Sequence, residues 1–289
     1  MKTRTILGLV VLVSAGLGVR NLPQKVSPGL AAWWPWTTTT VTVYFTDGRF
    51  IVPVSRRMAR NGDLPRATLH ALLAGPAAGS GLKNPVPRGV EVRSFELREG
   101  VARIDLSSAV FEDPIQARAA ETAIIETMTA LPDVTSVSLS VDGKSVVDSA
   151  RRTPLLYYAS VNGLVAVPIS ATTPRAALAT YLFGPPGPGL TGLPSDVRLL
   201  TYEHDPADGV LSLNFSYTPS VRTLALEQPE RMRLVLLGLI AGLTELPSVR
   251  AVRLDFEGQT RLGLGQCSDL LRTTQPRPEL LNDERLLGR

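Results

Sequence analysis

The chain has 289 residues, of which 44% are hydrophobic and 19% are charged. This length and balance predict about two globular domains and exclude a disordered chain. The formal net charge of +4 lies in residues 1–36, so the rest of the chain is neutral and lacks the basic surface that nucleic acid requires. Cys267 is the single cysteine, which excludes an intrachain disulfide and a cysteine-based metal cluster.

The N-terminus has the pattern of an export signal. Lys2 and Arg4 precede the apolar run Ile6–Val19, which is shorter than the ~20 residues that span a bilayer. We therefore expect residues 1–22 to be a cleaved signal peptide, or a signal anchor if they are retained, followed by a linker at 23–40. The expected location is extracytoplasmic, in the periplasm or cell envelope, with membrane contact only through this segment.

An internal duplication organises the rest of the chain. The sequence Leu72-Leu73-Ala74-Gly75-Pro76 has a counterpart 109 residues later in Tyr181-Leu182-Phe183-Gly184-Pro185. Each copy ends a helical pattern with glycine and then proline. The duplication predicts two repeats and a tail, with the boundaries 41–148, 154–262 and 263–289. The tail is polar, so we expect it to fray.

The first repeat reads as β-β-α-β-β-α-β. Asp47-Gly48 predicts a hairpin turn, and Asp63, with Pro65 in the first turn, predicts a capped helix. Two strands follow, and Asp113-Pro114 predicts the start of the second helix. The last strand, 134–141, closes the repeat.

The second repeat copies this order. Asn162-Gly163 predicts its hairpin, Thr173-Pro174 its first helix and Pro229 its second helix. The ten residues of Leu234–Leu243 are apolar nearly all round and too few to cross a membrane. They predict a buried helix or one that packs on the other repeat, which would join the repeats into one rigid body. The predicted fold class is α+β: two tandem repeats, each a mixed sheet covered by helices.

Few residues in the sequence carry catalytic chemistry. There are two histidines, His70 on the first helix and His204 at a strand end. Oxygen ligands near His204 lack the spacing of a calcium loop. The chain contains no serine-nucleophile, metalloprotease or phosphate-binding motif. We therefore predict no catalytic residue, no metal site and no cofactor, and a protein that is not an enzyme.

The Gly/Pro-rich segments 75–87 and 184–194 are placed equivalently by the duplication, which favours a contact surface. A basic cluster at 55–60 indicates either a solvated loop or a patch for an anionic wall polymer or lipid headgroup. The candidate contact residues are Gly75, Pro76, Gly81, Pro87, Gly184, Pro185, Gly189, Pro194, Arg56 and Arg57.

The two repeats resemble a known domain. The first repeat carries the motifs Val52-Pro53-Val54, Leu72-Leu73-Ala74-Gly75-Pro76, Gly100-Val101-Ala102-Arg103-Ile104-Asp105-Leu106-Ser107, Leu131-Pro132-Asp133-Val134 and Val141-Asp142-Gly143. These motifs resemble the GerMN domain, a module of sporulation and spore germination. The second repeat matches it more loosely, and the resemblance covers about 41–258.

The resemblance implies a non-enzymatic envelope protein that works by protein–protein contacts. The implied partners are envelope proteins, in a ring or channel assembly or through self-association. Typical tandem members are lipoproteins, and this chain lacks the lipobox cysteine. The alternative hypothesis is a module that binds peptidoglycan or another wall glycan, with Tyr157, Tyr158 and Tyr181 either in a groove or in the core.

Overall fold

The computed structural model describes residues 38–60, 62–107, 114–258, 264–271 and 273–287. These residues form two repeated α+β units, which confirms the predicted fold class and the duplication. The predicted leader and Asp113 lie outside the described residues. Within the described ranges, none of the helices is long and apolar enough to cross a membrane.

Both repeats contain the order β-β-α-β-β-α-β, to which the first adds a final strand and the second adds a helix before its last helix. The first repeat contains β1 (Thr38–Thr46), β2 (Ile51–Ala59), α1 (Leu64–Leu73), β3 (Val92–Arg98), β4 (Val101–Leu106), α2 (Pro114–Thr129), β5 (Ser136–Val141) and β6 (Lys144–Arg151). The second contains β7 (Leu155–Ser160), β8 (Gly163–Pro168), α3 (Pro174–Phe183), β9 (Leu199–Asp205), β10 (Val210–Phe215), α4 (Pro219–Glu227), α5 (Pro229–Leu243) and β11 (Ala251–Phe256). A C-terminal segment, the described residues from 264 to 287, adds a 3-10 helix (Gly265–Leu271) and β12 (Gln275–Pro276). Strands β6 and β12 and helix α4 were not predicted from the sequence.

The first helix of each repeat begins where the sequence predicts. The Asp63 side chain accepts a hydrogen bond from the Arg66 backbone N–H at 3.1 Å, and the Thr173 side chain accepts one from the Ala176 N–H at 3.3 Å. Both caps satisfy an N–H that has no partner inside the helix. Gly75 and Gly184 follow the helices with φ of 82° and 112°, a region that disfavours side chains.

The strands form three four-stranded sheets. The central sheet has the order β1-β2-β8-β7 and is shared by the two repeats, and the outer sheets have the orders β3-β4-β5-β6 and β9-β10-β11-β12. We expected one mixed sheet in each repeat, whereas the first hairpin of each repeat lies in the shared sheet. A lone hairpin is marginally stable, so the two hairpins stabilise each other by pairing at Ile51 and Ala166.

Helix α5 lies between the two hydrophobic clusters. Its Leu236, Leu239 and Ile240 belong to the core of the second repeat, and Ala241 packs in the core of the first. The helix lies so close to β7 that a Cβ added to Gly238 would come within 2.5 Å of the Tyr157 carbonyl oxygen. The predicted buried helix is therefore confirmed, and it joins the two repeats.

The C-terminal segment is packed against both repeats, so the prediction that it frays is wrong. Leu281, Asn282 and Leu287 are buried. The Asn282 side-chain amide donates to the carbonyl of Pro53 on β2 at 2.6 Å and to that of Leu164 on β8 at 2.8 Å. Proline has no backbone N–H, so Pro53 cannot donate a hydrogen bond to the neighbouring strand β8. The Asn282 side chain lies there instead and binds both strands.

Candidate functional site

The two Gly/Pro-rich segments form loop 1 (residues 75–87) and loop 2 (residues 184–194). In loop 1, Lys83 exchanges two backbone hydrogen bonds with Thr46 of β1, at 2.7 and 3.1 Å. In loop 2, Thr191 exchanges two with Ala159 of β7, at 2.7 and 3.0 Å. Because β1 and β7 are the outer strands of the central sheet, both loops are held to its edges.

Loop 1 surrounds a surface depression of about 460 Å³. The structure brings four of the predicted contact residues together along its wall: Gly75, Pro76, Gly81 and Pro87. Apolar side chains share the wall with polar groups, and Lys83 and Arg88 supply positive charge. Loop 1 therefore offers backbone and apolar surface with two cations beside it.

Arg56 is bound within the protein. Its guanidinium donates to the carbonyls of Ala71 and Gly75, both at 2.8 Å, and lies 4.8 Å from the centre of the Phe45 ring. The same group binds both carboxylate oxygens of Glu284 from the C-terminal segment, at 2.9 and 3.0 Å. The Ala77 N–H donates to Glu284 as well. The C-terminal segment thus occupies one side of loop 1.

Arg57, the other basic candidate, is exposed beside Arg56. It lines a depression of about 410 Å³ together with Asp283 and Arg285 of the C-terminal segment. Because both charge signs are present there, this surface has no strong field for an anionic polymer.

Loop 2 carries the remaining four candidates, Gly184, Pro185, Gly189 and Pro194. The Arg49 guanidinium, from the β1–β2 turn, donates to the Pro188 carbonyl at 3.4 Å. The Arg231 guanidinium of α5 lies 3.4 Å from the Thr191 hydroxyl. Loop 2 is therefore bordered by cations from both repeats.

A cluster of titratable side chains fills the space between the repeats. Glu245, whose side chain is 2% exposed, accepts from Arg152 at 2.8 Å and also from Arg277 of the C-terminal segment. It also accepts from the hydroxyl of Tyr157, which lies 3.3 Å from the hydroxyl of Tyr44. Burial raises the pKa of Tyr44 to about 12, and it also raises the pKa of Tyr157.

Glu126 on α2 lies next to this cluster. Burial raises the pKa of its carboxyl group to about 7, while the nearby charge of Arg152 opposes the shift. Its Oε2 atom has no hydrogen-bond partner among the described residues. Neither Glu126 nor Glu245 lines the depressions described here, so these acids face protein rather than an open cleft. Sequence reasoning missed this cluster, since its members are far apart in the chain.

The two histidines lie in different settings. His70 is exposed on α1, and the His204 Nε2 lies 3.0 Å from the Ser248 carbonyl. Among the described residues, no group of three or more His, Cys, Asp or Glu side chains is arranged to hold a metal ion. Cys267 is buried, and burial raises its thiol pKa to about 11.

The three tyrosines considered for a glycan groove are buried. Tyr157, Tyr158 and Tyr181 are each at most 1% exposed. The rings of Tyr158 and Tyr181 stack with centroids 4.9 Å apart, and the Tyr181 hydroxyl donates to the Val235 carbonyl at 3.1 Å. Of the two placements that the sequence left open, a groove or the core, these tyrosines lie in the core.

The open face of the β9–β10–β11 sheet holds a shallow polar depression of about 270 Å³ that was not predicted. One of its residues has a structural role. The side-chain oxygen of Asn214 accepts from the Gly258 N–H at 2.8 Å, and Asp105 accepts from the Gly143 N–H at 2.9 Å in the first repeat. The repeated motif after Gly100 and Gly209 thus fixes equivalent turns.

The comparisons with known proteins agree with this architecture. The family model described as "Germane: Sporulation and spore germination" matches residues 42–147 and 155–262. The tandem GerMN domains of the sporulation protein GerM from Bacillus subtilis are 18% identical, with a TM-score of 0.61. That match covers 85% of this chain and 99% of the other.

A second solved structure, the first GerMN domain of the same Bacillus subtilis protein, is 13% identical and has a TM-score of 0.31. It covers 40% of this chain and 94% of the other chain. A comparison with curated proteins finds no match. At these identities, the tandem match shows a shared fold.

Proposed function

Since the chain belongs to the family of sporulation and spore germination domains, we propose that it is a non-enzymatic scaffold of the cell envelope. It acts outside the cytoplasmic membrane by binding other proteins. The basic and apolar leader, with Lys2, Arg4 and the run Ile6–Val19, supports the proposed location.

The position of the two loops carries this proposal. Strands β1 and β7 run antiparallel, because each neighbouring pair in the order β1-β2-β8-β7 is antiparallel. Thr46 and Ala159, which hold the loops, lie at or near the C-terminal ends of these strands. Across the paired strands Thr46 lies level with Tyr157, two residues from Ala159. The loops are therefore held at opposite edges of one sheet, separated across it by three strand spacings, roughly 14 Å.

This arrangement suits a protein that links two neighbours. The backbone bridges restrict both loops before binding, which lowers the entropy lost when a partner is bound. The shared sheet and α5 keep the two loops at a fixed separation. Loops at opposite edges of one sheet allow one molecule to hold two partners at a set distance.

Site-specific photo-crosslinking of the full-length chain in the producing cells tests the proposal. A photoreactive residue replaces Ala78 in loop 1 or Pro186 in loop 2, both exposed. A third variant carries it at Glu203, on the open sheet face, as the matched control. We expect discrete crosslinks to envelope proteins from the loops and none from the control, with the chain in the envelope fraction.

A cytoplasmic location would overturn the proposal, and so would loops that crosslink no more than Glu203 does. If loop crosslinks are absent and the full chain co-sediments saturably with purified sacculi, the result would favour wall-glycan binding instead.

A further inference from the structure

The two loops differ in what covers them. Glu284 of the C-terminal segment binds Arg56 and the Ala77 N–H at loop 1. Among the described residues, no hydrogen bond or ion pair joins the C-terminal segment to loop 2. The duplication has thus produced two equivalent loops, of which one is occupied by the chain itself.

Phe183 marks the second loop. It is the last residue of α3, immediately before Gly184, and its side chain is 95% exposed. The equivalent residue of the first repeat is Ala74. The repeat fold therefore accepts alanine at this position, and the phenyl ring contributes almost no burial to it. Exposed aromatic rings of this kind supply much of the binding energy at protein interfaces.

Positive charge borders loop 2. The Arg49 guanidinium reaches Pro188, and that of Arg231 reaches Thr191. Neither guanidinium lies within 4 Å of a carboxylate in the described part of the chain. Asp47, in the same turn as Arg49, instead accepts from the backbone N–H groups of Arg49 and Phe50. The two side-chain charges are therefore available to a negative partner.

The contact at loop 1 indicates which chemistry fits such a loop. The segment bound there, residues 280–287, has the sequence LLNDERLL. It supplies the Glu284 carboxylate to an arginine and a backbone N–H, and it buries Leu281 and Leu287. The group that this chain already places against a Gly/Pro-rich loop is thus a carboxylate, carried by a segment whose leucines pack in the hydrophobic core.

We propose that Phe183, Arg49, Arg231 and loop 2 form a docking surface for an acidic, leucine-bearing segment of a partner protein. The segment's carboxylates pair with the two arginines, and its leucine side chains pack on the Phe183 ring. The inference rests on the proposed scaffold function and names the partner's chemistry at one of the two loops.

A labelled peptide with the sequence of residues 278–284, which carries three acidic and no basic side chains, serves as the probe and is titrated into the full-length protein by fluorescence anisotropy. The comparison peptide replaces its Asp and Glu residues with Asn and Gln. We expect the acidic peptide to bind and the neutral one to bind at least about tenfold more weakly. The substitution Phe183→Ala, which installs the residue of the first repeat, should weaken binding by about tenfold or more.

Leu226→Ala is the matched control, because Leu226 is a 60% exposed apolar residue on α4, away from loop 2. It should leave binding unchanged, and both variants should keep the unfolding midpoint of the parent. Arg49→Glu should weaken the binding of the acidic peptide and reduce the salt dependence of that binding.

Several outcomes would overturn the inference. Equal binding of the two peptides would show that the carboxylates of the peptide do not contribute to binding. Binding unaffected by Phe183→Ala would place the peptide at loop 1, in competition with the chain's own segment. Phe183-dependent binding to anionic phospholipid vesicles without peptide binding would assign the surface to lipid. If loop 2 crosslinks in cells and the acidic peptide does not bind, the scaffold function stands and this inference fails.

Discussion

Asn282 and Leu164 form a reciprocal pair across 118 residues of chain. The Asn282 Nδ2 donates to the Leu164 carbonyl, and its Oδ1 accepts from the Leu164 N–H, both at 2.8 Å. A side-chain amide thus makes the two bonds that a neighbouring strand would make. Because the same Nδ2 also donates to Pro53, one residue joins β2 of the first repeat to β8 of the second.

Replacing Asn282 by alanine should destabilise the whole protein. The change leaves buried backbone groups of Pro53 and Leu164 without partners and opens a small cavity. We expect a loss of about 3 kcal/mol in the free energy of unfolding. Urea denaturation followed by circular dichroism measures it.

Arg285→Ala is the control for this change. Arg285 belongs to the same segment, but its side chain is 84% exposed and forms a surface pair with Asp283. Its replacement should cost less than about 0.5 kcal/mol. Equal stability of the Asn282→Ala variant and the parent would show that the C-terminal segment does not join the repeats.

Gly238→Ala should also destabilise the protein. A Cβ at this position would lie 2.5 Å from the Tyr157 carbonyl oxygen, so α5 must move away from β7. We expect a cost of about 2 to 3 kcal/mol, although alanine favours helix more than glycine does. Thermal and urea unfolding of the variant measure it.

Glu230→Ala on the exposed first turn of α5 serves as the comparison for Gly238. It should change stability by about 0.5 kcal/mol or less. A Gly238→Ala variant more stable than the parent would mean that helix propensity outweighs the close approach to β7.

Glu245→Gln should weaken the contact between the repeats. The substitution keeps the size of the side chain but leaves Arg152 and Arg277 facing a neutral group in a buried setting. We expect a loss on the order of 3 kcal/mol. Asp63→Asn at the exposed pair with Arg66 is the surface comparison and should cost below about 1 kcal/mol. A Glu245→Gln loss no larger than this would contradict the prediction.

Glu126 should make stability depend on pH. Its pKa is about 7 in the folded protein and near 4.5 when unfolded, so the folded state holds the proton more tightly. The stabilisation is fully present below about pH 4.5 and is lost as pH rises toward 7. It amounts to roughly 3 kcal/mol at most.

Glu126→Gln removes this titration and provides the test. The variant should match the parent near pH 4.5 and be more stable than the parent at pH 8, when unfolding free energies are compared across that range. A parent and variant with the same pH profile would show that the pKa of Glu126 is the same in the folded and unfolded states.

Local sequence signals predicted the elements well. Asp63 and Thr173 predicted two helix starts, because capping is decided within three or four residues. Thr218-Pro219 is the same kind of signal and could have revealed α4, which begins at Pro219. The pairing of β2 with β8 could not be read in this way, since it joins strands from different repeats.

In the candidate site, too, the sequence predicted the local features but not the contacts between distant residues. The duplication placed the two loops equivalently, and the structure holds each by one backbone bridge to an outer strand. The partner of Arg56 could not be predicted, because Glu284 is 228 residues away. The polar composition of the C-terminal segment predicted that it would fray. In the structure, the polar side chain of Asn282 makes the hydrogen bonds that the backbone of a neighbouring strand would make.

The position of Asn282 near the end of the chain has a consequence for biosynthesis. As the chain emerges from the ribosome or the export channel, the first hairpin must wait for more than 200 further residues before its last backbone partner arrives. Contacts of such long sequence separation slow folding. A product truncated before Asn282 would leave the edge between β2 and β8 open, so incomplete molecules differ from finished ones at a site that quality-control proteases can reach.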